Sequence, residues 1–133
     1  MKLYLKPILV FTCFILLVAP GCTSSDNDTP TYESELSELS LLKAEIETLA
    51  STSVCNETSE CKFIALGSKP CGGPWTYLTY TTSINVEQLQ AIVKEYNQKE
   101  AVFNTKWDIP SDCALTLQPT SINCENNDCV LMY

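Results

Sequence analysis

Six cysteines, Cys55, Cys61, Cys71, Cys113, Cys124 and Cys129, carry the chemistry that spacing alone can narrow. Sulfur can bond sulfur, hold a soft metal or attack an electrophile. Structural zinc asks for close ligand pairs such as C-x-x-C, commonly completed by histidine; this chain has no histidine, and at least four residues separate any two of these cysteines. No metal site is expected. A cysteine or serine nucleophile needs a neighbouring base, and without histidine the Ser-His and Cys-His pairs are excluded. There is no arginine to hold a phosphate or an oxyanion. The acidic residues are scattered with no spacing that nominates a general acid and base, so no catalytic residue and no cofactor is expected. An even set of cysteines in a short exported chain then reads as three disulfides.

Their pairing is only partly legible. "VCNETSECKFIAL" at 54 to 66 and "NCENNDCVLMY" at 123 to 133 both run cysteine, polar acidic turn, cysteine, apolar strand. Each reads as a loop closed by its own disulfide, Cys55 with Cys61 and Cys124 with Cys129, which leaves Cys71 for Cys113. Pairing across the two loops is the alternative, since six cysteines allow fifteen connectivities. The turn at 125 to 128 lacks the alternating ligands and glycine of a calcium loop.

A second constellation is "GSKPCGGPW", residues 67 to 75. Gly72 and Gly73 permit backbone angles closed to other residues, Pro70 and Pro74 stiffen the path, and Cys71 pins the tip. A constrained turn between strands at 61 to 67 and 75 to 83 is expected. A pinned turn is also what a preorganised binding loop requires, and Lys69, Gly72, Gly73, Trp75 and Tyr77 are the candidate contact residues. Lys69 precedes the paired glycines, so the stretch is no phosphate loop. Trp75, Tyr77, Thr79 and Thr81 alternate onto one face of the following strand, with Thr76, Leu78, Tyr80 and Thr82 on the other. Burial of Trp75 in the core is the expectation. An exposed aromatic patch, able to stack on a sugar ring or receive a protein, is the alternative.

The elements that must hold these residues follow from periodicity. Leu39, Leu42, Ile46 and Leu49, with Leu36 one step earlier, make one helical stripe over 33 to 50, with Glu33, Glu35 and Glu38 suited to its N-terminus. It is expected to pack on the domain; a stalk is the alternative, but two heptads are short for one. Asn85 with Gln88 resembles a capping box, and Leu89, Ile92, Val93, Tyr96 and Phe103 give an apolar face to a helix at 86 to 104. Further strands are expected at 129 to 133 and, more weakly, at 114 to 117. The fold class is α+β: a small disulfide-stapled domain over 33 to 133, its antiparallel sheet packed by the helix at 86 to 104.

Disulfides need an oxidising compartment, and the N-terminus addresses it. Lys2 and Lys6 precede an apolar run from Ile8 to Ala19, too short for the ~20 residues of a membrane-spanning helix. "LLVAPGC" at 16 to 22 resembles a bacterial lipobox with small residues before the cysteine, and departs from it in the leucine three places before. The resemblance implies a lipoprotein signal peptide over 1 to 21, a lipid on Cys22 and attachment to the membrane through it. "TSSDNDTPT" continues as an acidic tether over 22 to 32. Thr23 is not the aspartate that resembles an inner-membrane retention signal, so the outer membrane is the expected address, with surface export as an extension.

Removing residues 1 to 21 takes away Lys2 and Lys6 and moves the formal net charge from −8 to about −10. Such a surface repels phosphate and excludes a nucleic-acid partner. The expected function is a non-catalytic cell-envelope module binding a protein or a glycan. Two alternatives stand beside it. "CK" at 61 to 62 resembles the reactive site of Kunitz-type proteinase inhibitors, and "SKPC" at 68 to 71 also sets a lysine near a cysteine; an envelope enzyme using carboxylates is the other.

Overall fold

Thr31 opens the first helix: its hydroxyl accepts from Ser34 N at 3.2 Å, and Ser34 Oγ accepts from Thr31 N at 2.9 Å, which satisfies two amides that the helix itself leaves unpaired. The computed structural model describes residues 29–133. This helix, α1 (Tyr32–Ser51), is followed by β1 (Cys61–Leu66), β2 (Thr76–Thr81), α2 (Val86–Lys106), β3 (Ser121–Glu125) and β4 (Asp128–Met132). The expected signal peptide over 1 to 21, the expected lipid site Cys22 and residues 23 to 28 of the expected tether lie outside the described residues. Among the described residues no helix is long and apolar enough to cross a membrane.

The class is α+β, with the sheet divided in two. β1 and β2 pair antiparallel from Cys61↔Thr81 to Leu66↔Thr76, and β3 and β4 pair separately from Ser121↔Met132 to Glu125↔Asp128. Leu39, Ile46 and Ala50 of α1 meet Leu89, Val93, Tyr96 and Phe103 of α2 over Leu66 and Tyr80, and these side chains form the core. α1 therefore packs on the domain. Ile92 is half-buried at the edge of this core. The Asn85 side chain accepts from Gln88 N at 3.0 Å and starts α2.

Two sequence expectations are corrected, and one unexpected strand is present. Residues 114 to 117 form no strand; the partner of β4 is β3, whose run "SINCE" shows little apolar alternation. Asn126 (φ 52°) and Asn127 (φ 68°) make the two-residue turn between them, both in the left-handed region that this tight hairpin requires. The disulfides are crossed: Cys55–Cys124 and Cys61–Cys129, with Cys71–Cys113 as expected. The hairpin lies beside β1 and β2, which brings its cysteines to those of the 55 to 61 segment, and each bridge closes a long loop instead of a local one.

Candidate functional site

Residues 67 to 75 form a loop whose backbone is held from every side. Leu66 O accepts from Trp75 N at 3.0 Å at the base, Gly72 N donates to Lys69 O at 2.9 Å, and Lys69 N donates to Gly73 O at 2.8 Å. Pro70 occupies the corner where its fixed φ suits the turn. The Cys71–Cys113 bridge ties the tip to the 109 to 119 segment. Gly73 has φ 82°, a conformation that a side-chain-bearing residue resists.

α2 supplies the remaining bonds. Asn97 Oδ1 accepts from Gly67 N at 2.7 Å while its Nδ2 donates to Ala65 O at 3.1 Å. Glu100 Oε2 accepts from Ser68 N at 2.5 Å, and Asn104 Nδ2 donates to Ser68 O at 2.6 Å. Three polar residues at i, i+3 and i+7 thus stand in for a neighbouring strand along 65 to 68, satisfying backbone groups that β2 does not reach. Sequence reasoning missed them. Their signal was a polar file beside the apolar positions Tyr96 and Phe103.

Lys69, read from sequence as a contact residue, faces inward. It is 9% exposed, its Nζ donates to Ala114 O at 2.6 Å, and the ammonium lies 3.7 Å from Asp112 Oδ1 and 5.2 Å from the Trp75 ring centroid. It supports the loop from below. Trp75, expected in the core, is instead 40% exposed. It sits at a bend ahead of β2, so strand alternation does not govern it, and its ring turns toward the helices. Gly67 makes room: a Cβ there would come within 2.4 Å of Trp75 Cδ1.

The indole borders a cleft between α1, α2 and the loop. The cleft is about 330 Å³, with Tyr32, Leu36, Tyr96 and Phe103 among its apolar walls and Ser40, Lys43, Glu100 and Asn104 as polar groups. Beyond Trp75 it continues into a hollow of about 240 Å³ over Gly67 and Thr76. Tyr32 packs on Phe103 at 5.2 Å and edge-on against Trp107 at 5.4 Å, which fixes the wall opposite the loop. Tyr96 OH donates to Glu100 Oε1 at 2.9 Å. Burial, then the hydrogen bond to that carboxylate, pushes the phenol well above its ordinary range, so it stays a neutral donor.

The other candidates lie elsewhere. Tyr77 is half-buried on the opposite face of the sheet, edge-on to Phe63 with centroids 5.8 Å apart. Gly72 and Gly73 form the tip, with open space where a Cβ would stand. The arrangement offers flat aromatic surface beside a few oriented polar atoms, the composition of a small-ligand cleft. No protein-family model, curated protein or solved structure matches the chain.

Proposed function

We propose that this chain is a lipid-anchored, non-catalytic module of the bacterial cell envelope that binds a glycan through the Trp75 cleft. One observation carries the reading: Trp75 is half-exposed, its ring packed against Gly67 with the Lys69 ammonium 5.2 Å from its centroid, on a loop pinned by the Cys71–Cys113 bridge. An aromatic plate fixed in advance loses little entropy on binding, and a sugar ring offers it an apolar C–H face while its hydroxyls meet groups such as Ser40, Lys43 and Glu100. Among the described residues Glu100 is the one acidic residue on the walls of both hollows, whereas carboxylate-dependent glycoside hydrolysis ordinarily uses two. This favours binding over turnover. The inhibitor alternative is less well supported: Lys69 is buried and Lys62 lies inside β1 opposite Tyr80, so neither lysine stands on a free loop.

A protein partner is the second reading, favoured by Leu115 and Leu117, 89% and 66% exposed on the 109 to 119 segment. Soluble envelope polysaccharide fragments, titrated against Trp107→Phe protein so that Trp75 is the sole indole, separate the two. Saturable change in Trp75 emission is expected, and no change at any sugar concentration contradicts the glycan reading. The anchor is tested separately. Cys22→Ala is expected to leave precursor without the diacylglycerol mass, and a processed, lipid-modified variant would overturn it.

A further inference from the structure

The sulfurs of Cys55, Cys61 and Cys129 lie within 4.8 Å of one another, and Cys124 is bonded to Cys55. Two disulfides, Cys55–Cys124 and Cys61–Cys129, therefore form a single four-sulfur cluster. The same residues are also matched a second way. Cys124 and Cys129 are direct cross-strand partners on β3 and β4, a separation that a disulfide spans, and Cys55 and Cys61 flank a turn closed by the Asn56–Ser59 bridge. The backbone thus holds both the crossed pairing and the nested one, Cys55–Cys61 with Cys124–Cys129, within reach.

We propose that this cluster is a thiol–disulfide exchange site, at which an external thiol converts the crossed pairing into the nested one. Exposure fixes the point of entry: Cys124 is exposed, whereas Cys55 is 1% exposed. The external thiolate attacks Cys124 Sγ, the bond to Cys55 breaks, and Cys55 leaves as a thiolate. That thiolate is desolvated, which disfavours its charge, and both sulfurs of the Cys61–Cys129 bridge are within 4.8 Å. It attacks Cys61 Sγ; Cys55–Cys61 forms and Cys129 leaves as a thiolate. Cys129, facing Cys124 across the hairpin, then attacks Cys124 Sγ, forms Cys124–Cys129 and releases the external thiolate. Two disulfides are present before and after, no electrons are gained or lost, and the thiol is regenerated. The crossed bridges join residues 69 and 68 apart in sequence, tying the β3–β4 hairpin to the rest of the domain. The nested bridges close only local turns and leave that hairpin held by packing.

The test uses the full chain with any thiol outside the three bridges alkylated beforehand. The protein is incubated anaerobically with substoichiometric glutathione, quenched in acid, and cleaved without reduction at Glu57, Glu60, Lys62, Leu117 and Glu125, so that Cys55, Cys61, Cys124 and Cys129 each leave on a separate peptide and Cys71 and Cys113 stay together on a fifth. Peptides linked Cys55–Cys61 and Cys124–Cys129 are expected to rise as the crossed ones fall, with total thiol unchanged and Cys71–Cys113 intact. Crossed peptides alone, or their loss matched by new free thiol, would overturn the proposal. Cys124→Ser gives an independent readout by leaving one thiol among Cys55, Cys61 and Cys129 always without a partner, on Cys55 at the outset. Alkylation after acid denaturation should then label Cys129 as well as Cys55, and labelling confined to Cys55 would contradict the exchange.

Discussion

Lys69 shows how a residue's role turns on where its charge points. A lysine next to Pro, Cys and two glycines reads as a loop-tip cation, and the sequence contains nothing that says its stem lies under the loop with Nζ on a carbonyl 45 residues away. That contact is tertiary and has no local pattern. Lys69→Ala is therefore expected to lower stability by about 1–3 kcal/mol, because Ala114 O loses its donor and the stem its packing, whereas Lys94→Ala on the exposed side of α2 should change it by less than about 0.5 kcal/mol. Equal melting temperatures would mean that Lys69 is free. Gly73 was easier to read, since its φ of 82° follows from a pinned turn before proline; Gly73→Val should disrupt the loop. Glu35 sets a pH dependence. Its hydrogen bonds from Lys106 Nζ at 2.7 Å, the larger cause, and Trp107 Nε1 at 2.6 Å hold the carboxyl below its ordinary value of 4.5. A lowered value means the stabilisation is present above that ordinary value and lost as pH falls through and below it. Trp107 emission, followed in a Trp75→Phe background, should change on acidification below pH 4.5, and Glu35→Gln should remove that transition.

At the scale of elements, α2 does two things with two faces. Its apolar face was legible because Leu89, Val93, Tyr96 and Phe103 repeat at helical spacing, and all four are buried. Val93→Asp is expected to unfold the domain, since an unpaired charge would enter a site 1% exposed, while Gln98→Asp should be tolerated. Its polar file of Asn97, Glu100 and Asn104 was not legible as function, because its partners are backbone atoms of another element. Asn97→Ala should cost about 1–3 kcal/mol by leaving Gly67 N and Ala65 O without their partner, with faster amide hydrogen exchange at Gly67. Unchanged exchange there would show that α2 does not clamp the loop. β3 escaped the sequence reading for a related reason. "SINCE" has one clearly apolar side chain, and its pairing is fixed by the Asn126–Asn127 turn and two disulfides, not by a buried alternating face. The 114 to 117 run alternates but pairs with no strand; Lys69 Nζ binds Ala114 O, and Thr116 Oγ1 donates to Pro74 O at 2.8 Å.

The whole molecule is a helix pair over one small sheet, with a second hairpin stapled on. A domain this small gains much of its stability from covalent ties, and each disulfide commonly contributes about 2–4 kcal/mol by restricting the unfolded chain. The six cysteines announced three bridges, yet their nearest-neighbour spacing pointed to the nested pairing, because the packing of the hairpin beside β1 and β2 is a fact of the assembled fold. The cleft likewise exists only once α1, α2 and the loop meet. Its claim to function is tested most directly by partitioning the protein against insoluble envelope polysaccharide, comparing the native chain with Trp75→Ala and recording thermal melts of both. Because Trp75 is 40% exposed, the substitution should cost only about 1–2 kcal/mol, less than the loss of a fully buried tryptophan, while retention on the polysaccharide falls at least about tenfold. A Trp75→Ala protein that melts near the native temperature and is retained equally well would contradict the account.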